Sequence, residues 1–121
     1  MNEEDDDGVA ADELVCKKLF YIGNDIVDVS KVHSFTVAGG NYVTVSVENK
    51  RFHVRQTLTR LVERLDPEIF FQANRNCVIN LAHVKSVQPY DARRLSFTLT
   101  NGQMIIASRQ SSMRFRTERK L

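Results

Sequence analysis

Residues 42–47 read Tyr42-Val43-Thr44-Val45-Ser46-Val47. Val43, Val45 and Val47 alternate with polar partners, which is the period of a strand with one face buried. Gly39-Gly40-Asn41 precedes the run and Glu48-Asn49-Lys50 follows it, and both are turn chemistry. Upstream lie further short apolar runs: Leu19-Phe20-Tyr21-Ile22, closed by Gly23-Asn24-Asp25; then Ile26, Val27 and Val29; then Val32, Phe35 and Val37. Downstream the turn leads into Phe52-His53-Val54-Arg55. Short strands separated by turns specify antiparallel meanders and not βαβ units.

One helix interrupts the strands. Leu58, Leu61, Val62 and Leu65 fall at i, i+3, i+4 and i+7, one helical face. Thr57 stands where its hydroxyl can accept a backbone N–H and cap the helix. Pro67 lies beyond the last apolar position, where the helix should have ended. The spacing predicts a packing helix of about two to three turns, with Arg60, Glu63 and Arg64 in solvent. Apolar Ile69-Phe70-Phe71 and Cys77-Val78-Ile79 then flank Gln72-Ala73-Asn74-Arg75-Asn76, which reads as an exposed loop held from both ends. Val84 and Val87 mark another strand and Arg94 to Thr100 the next. Asn101-Gly102 is a strong hairpin signal, and Gln103 to Ala107 pair back. Ser108 can cap a short last helix running towards Lys120. The fold class expected is mainly β, with small antiparallel sheets, one internal packing helix and a short C-terminal helix.

The chain has 121 residues, enough for one domain and one modest core. Residues 1–13 carry seven acidic groups and no basic one. The remainder holds 17 basic against eight acidic residues, a formal +9, and a body so charged suits a polyanion. Residues 1–16 therefore read as an acidic, disordered tail or linker, and 17–121 as the folded domain. No apolar run approaches the length that spans a bilayer, and the acidic start is unlike a secretory signal, which makes the cytoplasm the expected location and excludes a membrane partner. Cys16 and Cys77 have no metal-ligand spacing and are expected reduced and buried.

Catalytic chemistry finds little support. His33, His53 and His83 stand singly, with neither i, i+2 nor i, i+4 spacing, so no metal site is expected. Asp25, Asp28 and Asp91 flank turns, where an aspartate serves local backbone bonds. There is no Gly-rich phosphate loop and no nucleophile elbow. The expectation is a protein that is not an enzyme and takes no cofactor.

Three segments concentrate groups able to grip DNA: Gly39-Gly40-Asn41, Gln72-Ala73-Asn74-Arg75-Asn76 and Ser108-Arg109-Gln110. Arginine matches the two major-groove acceptors of guanine, and Asn or Gln matches adenine. Hydroxyls and backbone N–H groups suit phosphates. Composition does not establish that the three share one face. In series, Gly40-Asn41-Tyr42-Val43, then Leu58 and Leu61, then Phe71 to Leu81, then Asn101-Gly102 and Ala107-Ser108-Arg109, resemble a LytTR DNA-binding domain over roughly Lys17 to Lys120.

That resemblance implies loops docked into successive major grooves on one side of a bent duplex, in a bacterial transcription regulator or the DNA-binding part of a two-component response regulator. It implies base reading by Asn41, Asn74, Arg75 and Arg109, with Gly40, Gln56, Thr57, Asn76 and Ser108 on the phosphate or supporting side. Its partners would be double-stranded DNA, a receiver domain or sensor kinase outside this chain, and a second copy on the DNA. Asn74 departs from the family's usual His, Gln72 from a common Arg, Asn76 from Ser and Cys77 from an aromatic, changes that alter base preference and soften the electrostatic grip. Two other readings stand beside it. A small β-barrel binding single-stranded nucleic acid would need exposed stacking rings. A protein-interaction adaptor would need an exposed apolar patch or a free strand edge.

Overall fold

A computed structural model of the chain describes residues 19–22 and 25–119. The acidic segment 1–16, Cys16, the Gly23-Asn24 turn and Lys120 lie outside the described residues. Strand β1 (Leu19–Ile22) pairs antiparallel with β2 (Asp25–Asp28). The Asp28 carboxylate then accepts from the Ser30 backbone N–H at 2.9 Å and so caps a single 3-10 turn, Val29–Lys31. Next comes the meander that the valine alternation predicts: β3 (Val32–Val37), β4 (Tyr42–Val47) and β5 (Lys50–Arg55). Helix α1 (Leu58–Val62) follows, then β6 (Phe70–Asn74) and β7 (Cys77–Asn80). Strands β8 (Val84–Pro89), β9 (Leu95–Leu99) and β10 (Met104–Ile106) and helix α2 (Arg109–Arg119) complete the described chain.

All pairings are antiparallel, in a five-stranded sheet ordered β5-β4-β3-β7-β6 and a three-stranded sheet ordered β10-β9-β8. The β7 strand joins β3 although some forty residues separate them in sequence, with Phe35 opposite Val78 and Thr36 opposite Cys77.

Successive strand residues face opposite ways, and the β6–β7 hairpin uses both faces. Phe70 and Val78 join Phe35, Val43, Val45, Val54 and the α1 leucines in one core. Phe71, Ala73, Cys77 and Ile79 join Leu95, Phe97, Leu99, Ile105 and Phe115 in a second. The hairpin is the wall between two cores. In the second, the Phe115 ring meets Phe71 at 5.2 Å and Phe97 at 5.0 Å, both edge-on, the arrangement that aromatic quadrupoles favour.

Two expectations need correction. The stretch Gln72–Asn76 is not a loop: residues to Asn74 belong to β6, Ala73 is fully buried, and only Arg75-Asn76 form the turn. Its polar residues alternate with buried Phe71 and Ala73, so a strand period reads in composition as a loop. Helix α1 is also shorter than expected, five residues. Leu65 still reaches the core, but through a tighter turn in which its N–H bonds to the Val62 carbonyl. Thr57 caps the helix as its position predicts, its hydroxyl accepting from the Arg60 N–H at 3.3 Å. The Asn101-Gly102 signal does produce the β9–β10 hairpin. Gly102 takes the left-handed conformation (φ 93°), and its N–H returns to Leu99. The loop is thus the three-residue kind with a glycine bulge and not a two-residue turn.

Candidate nucleic-acid interface

Sheet register decides which loops meet. β3 ends and β7 begins at one end of the sheet, where Thr36 faces Cys77. β4 begins and β5 ends there too, with Tyr42 opposite Arg55. β6 ends there as well, with Asn74 opposite Cys77. The loop 38–41, the turn 75–76 and residues 56–57 therefore leave the sheet at the same end. Backbone bonds stitch them together. The Val37 N–H donates to the Asn76 carbonyl at 2.9 Å, and the Ser108 N–H donates to the Ala73 carbonyl at 2.9 Å. The three segments singled out in the sequence are neighbours.

The first segment is a tight turn in which Gly39 (φ 99°) and Gly40 (φ 56°) both occupy positive φ, where a side chain would strain the backbone. Asn41 beside them is exposed. The second is the Arg75-Asn76 turn, also exposed. Asn74 shapes that turn: its Oδ1 accepts from the Asn76 N–H at 2.8 Å, and its Nδ2 donates to the Ile106 carbonyl at 2.9 Å. Both ends of the amide expected to read a base are bonded within the protein. In the third, the Ser108 hydroxyl accepts from the Ser111 N–H at 3.1 Å and caps α2.

A cleft of about 900 Å³ runs between the second and third of these pieces, with Thr36 of β3 on its wall and residues 39–41 outside it. Arg75, Asn76, Ser108, Gln110 and Arg114 are among its walls, and no carboxylate lines it among the described residues. Arg114 lies over the Phe71 ring at 5.7 Å, a cation–π placement that steadies the guanidinium over apolar surface. The Cys77 thiol, at the cleft floor, is buried and pushed up in pKa by that burial, the Thr36 hydroxyl opposing at 3.6 Å, so it stays a neutral thiol.

Some expected residues stand elsewhere. Gln56 is only 7% exposed, so its side chain belongs to the interior and can only support the interface. Arg109 opens α2 but lines a smaller neighbouring cleft, and the residues of its segment that reach the large one are Ser108 and Gln110. Arg114 is absent from the residues that the sequence singles out. Its signal is present there all the same: Gln110 and Arg114 are i, i+4 on a helix that buries Ser111, Ser112 and Phe115. Arg55, exposed at the sheet end beside Tyr42, is likewise missing from them. Among the described residues no three His, Cys, Asp or Glu gather to hold a metal ion, and no helix is long and apolar enough to cross a membrane.

A family model described as the LytTr DNA-binding domain matches residues 25–119. The chain is 31% identical over 78 residues to a sensory transduction protein LytR of Streptococcus agalactiae, covering 64% of this chain and 31% of that protein. It is 31% identical over 61 residues to a sensory transduction protein LytR of Streptococcus mutans, covering 50% of this chain and 25% of that one. It thus spans about a third or less of these relatives' lengths. A solved LytTr DNA-binding domain of a putative methyl-accepting/DNA response regulator from Bacillus cereus has the same fold. Its TM-score is 0.75 at 19% identity, over 87% of this chain and 99% of that one.

Proposed function

The chain belongs to the LytTr DNA-binding domain family, and on that premise we propose that it binds duplex DNA sequence-specifically with the loop end of its five-stranded sheet, as the DNA-reading part of a bacterial transcription regulator. The observation that carries the reading is the convergence of the 72–76 hairpin segment and the 108–110 segment on one cleft that has arginines and amides but no carboxylate on its walls among the described residues, with the 38–41 loop leaving the sheet at the same end. Such a surface attracts a polyanion over its whole extent and offers donors and acceptors suited to base edges.

In this reading Arg75, projecting from a turn braced by Asn74, reaches a base edge. Asn41 reads from the first loop, and Gln110 takes the place expected of Arg109. Gly40 lets the backbone approach closely. Asn76, Ser108 and Thr57 stand on the phosphate or supporting side, and Arg114 adds charge to the cleft. A cytoplasmic location, a receiver domain or sensor kinase as partner, and paired copies on DNA belong to the same proposal. The single-strand alternative is weakened, because Phe35, Phe70, Phe71 and Phe97 are all buried and the exposed Tyr42 and Tyr90 rings do not line the large cleft.

Selection of random duplexes by the purified chain tests the proposal. A retained motif is expected, and Arg75→Ala should lose about 1–3 kcal/mol on it with less effect on scrambled DNA. If Arg75→Ala holds the selected duplex as tightly as the parent, Arg75 is not a base reader. If the parent retains no motif, the chain does not read sequence by itself.

A further inference from the structure

Beside the large cleft, with Gln110 as common wall, lies a smaller one of about 330 Å³. Its other walls are Ala92, Arg93, Arg109, Met113 and Arg116. Three arginines from two elements therefore face one hollow, and no carboxylate lines it among the described residues. Arg109 and Arg116 are seven residues apart, one face of α2, with the exposed Met113 between them as an apolar wall.

Arg93 is delivered by the loop between β8 and β9, and that loop's one acid is already committed. The Asp91 carboxylate accepts from the Arg93 and Arg94 backbone N–H groups at 3.0 and 2.9 Å and pairs with the Arg94 guanidinium at 2.7 Å. Those bonds, the Arg94 side chain first, hold Asp91 down to a pKa of about 2. Arg94 also lies over the Tyr90 ring at 5.0 Å. Of two adjacent arginines, Arg94 is thus neutralised and braces the loop. Arg93 is turned towards α2, with no ion pair to any described residue. Like charges gathered in this way repel one another unless an anion sits between them.

We propose that Arg93, Arg109 and Arg116 form a phosphodiester-binding subsite that grips the backbone of the duplex seated in the larger cleft, without reading its sequence. The inference rests on the function proposed above, since a duplex lying along the larger cleft continues over Gln110 into the smaller one. Guanidinium forks match phosphate oxygens two at a time, and bonds of this kind fix register and orientation while carrying no base information.

The test measures equilibrium binding of the full chain to a selected duplex and to a scrambled duplex of the same composition, over a series of salt concentrations. The variants are Arg93→Gln, Arg116→Gln, their double, and the double lysine replacement that keeps the charges. The glutamine double should weaken binding to both duplexes by the same factor. It should also lower the slope of log affinity against log salt by about 0.9 for each phosphate that is no longer neutralised. The lysine double should restore most of the slope. An unchanged slope overturns the subsite, and so does a loss confined to the selected duplex, which would make these arginines base readers. A parent chain that binds no duplex overturns the functional reading itself. A parent that binds through Arg75, with variants that behave like it, overturns only the subsite.

Discussion

Asn74 shows how one side chain can offer two partners in sequence. An amide suits adenine, but it equally suits the Asx turn that an asparagine makes two residues ahead of a backbone N–H. Here it does the second and anchors the turn to Ile106 as well. Asn74→Ala removes both bonds and should lower stability by about 1–2 kcal/mol. Asn74→Asp, which keeps the acceptor and loses the donor, should recover part of that loss. Urea denaturation of the two variants beside the parent checks the order. The caps Thr57 and Ser108 are legible because a hydroxyl before a helix has one dominant use. Gln56 is not, because burial depends on what packs over a residue and not on the residue type.

Elements are legible where the signal is a period and obscure where it is a composition. The alternation through Val43, Val45 and Val47 specifies β4, and Asn101-Gly102 specifies the β9–β10 hairpin. The polar run 72–76 hides most of β6, since Ala73 is too small to announce that it is buried. The attachment of α2 is equally hidden. Ser112 is fully buried, and its hydroxyl accepts from the Leu95 N–H at 3.0 Å, tying the helix to the edge of β9. A serine in a helix gives no sign of this in sequence. Ser112→Ala leaves a buried N–H without its acceptor and should cost about 1–3 kcal/mol. Thermal denaturation measures the loss, and Ser112→Thr, which retains the hydroxyl, serves as the comparison.

At the scale of the molecule, the loops are visible in sequence but their convergence is not, because that depends on β7 entering the sheet beside β3. The same topology creates a junction at the opposite end. The rings of His33, on β3, and His83, just before β8, stack at 4.2 Å. The His33 Nδ1 accepts from the Glu48 N–H at 3.2 Å, which leaves the proton on Nε2, 3.1 Å from the Thr100 hydroxyl. His83 Nε2 lies 2.8 Å from the Ser30 carbonyl. Burial first and the charge of His83 second lower the His33 pKa, outweighing the Lys31 backbone and the Glu48 charge, which act to raise it. The folded state therefore takes up this proton less readily than the unfolded chain. Stability is complete above the unfolded value of 6.5 and declines as pH falls below it. Asp91, with its carboxyl held at about 2, has no part in that window. Urea midpoints at pH 7.5 and 5.5 should therefore differ, the acid one being lower. His33→Asn, whose side-chain oxygen can stand in for Nδ1 but cannot titrate, should reduce the difference.

The β6–β7 hairpin has a mechanical consequence. A turn that carries a reading head is ordinarily as loose as the loop it sits on, and every swing of the head blurs the position it reports. The Arg75 turn instead caps a hairpin clamped from both sides. To swing it, the chain would have to loosen two interiors at once. Under the proposed function, the protein thus presents Arg75 as a fixed stylus, with little entropy left to lose there when DNA arrives.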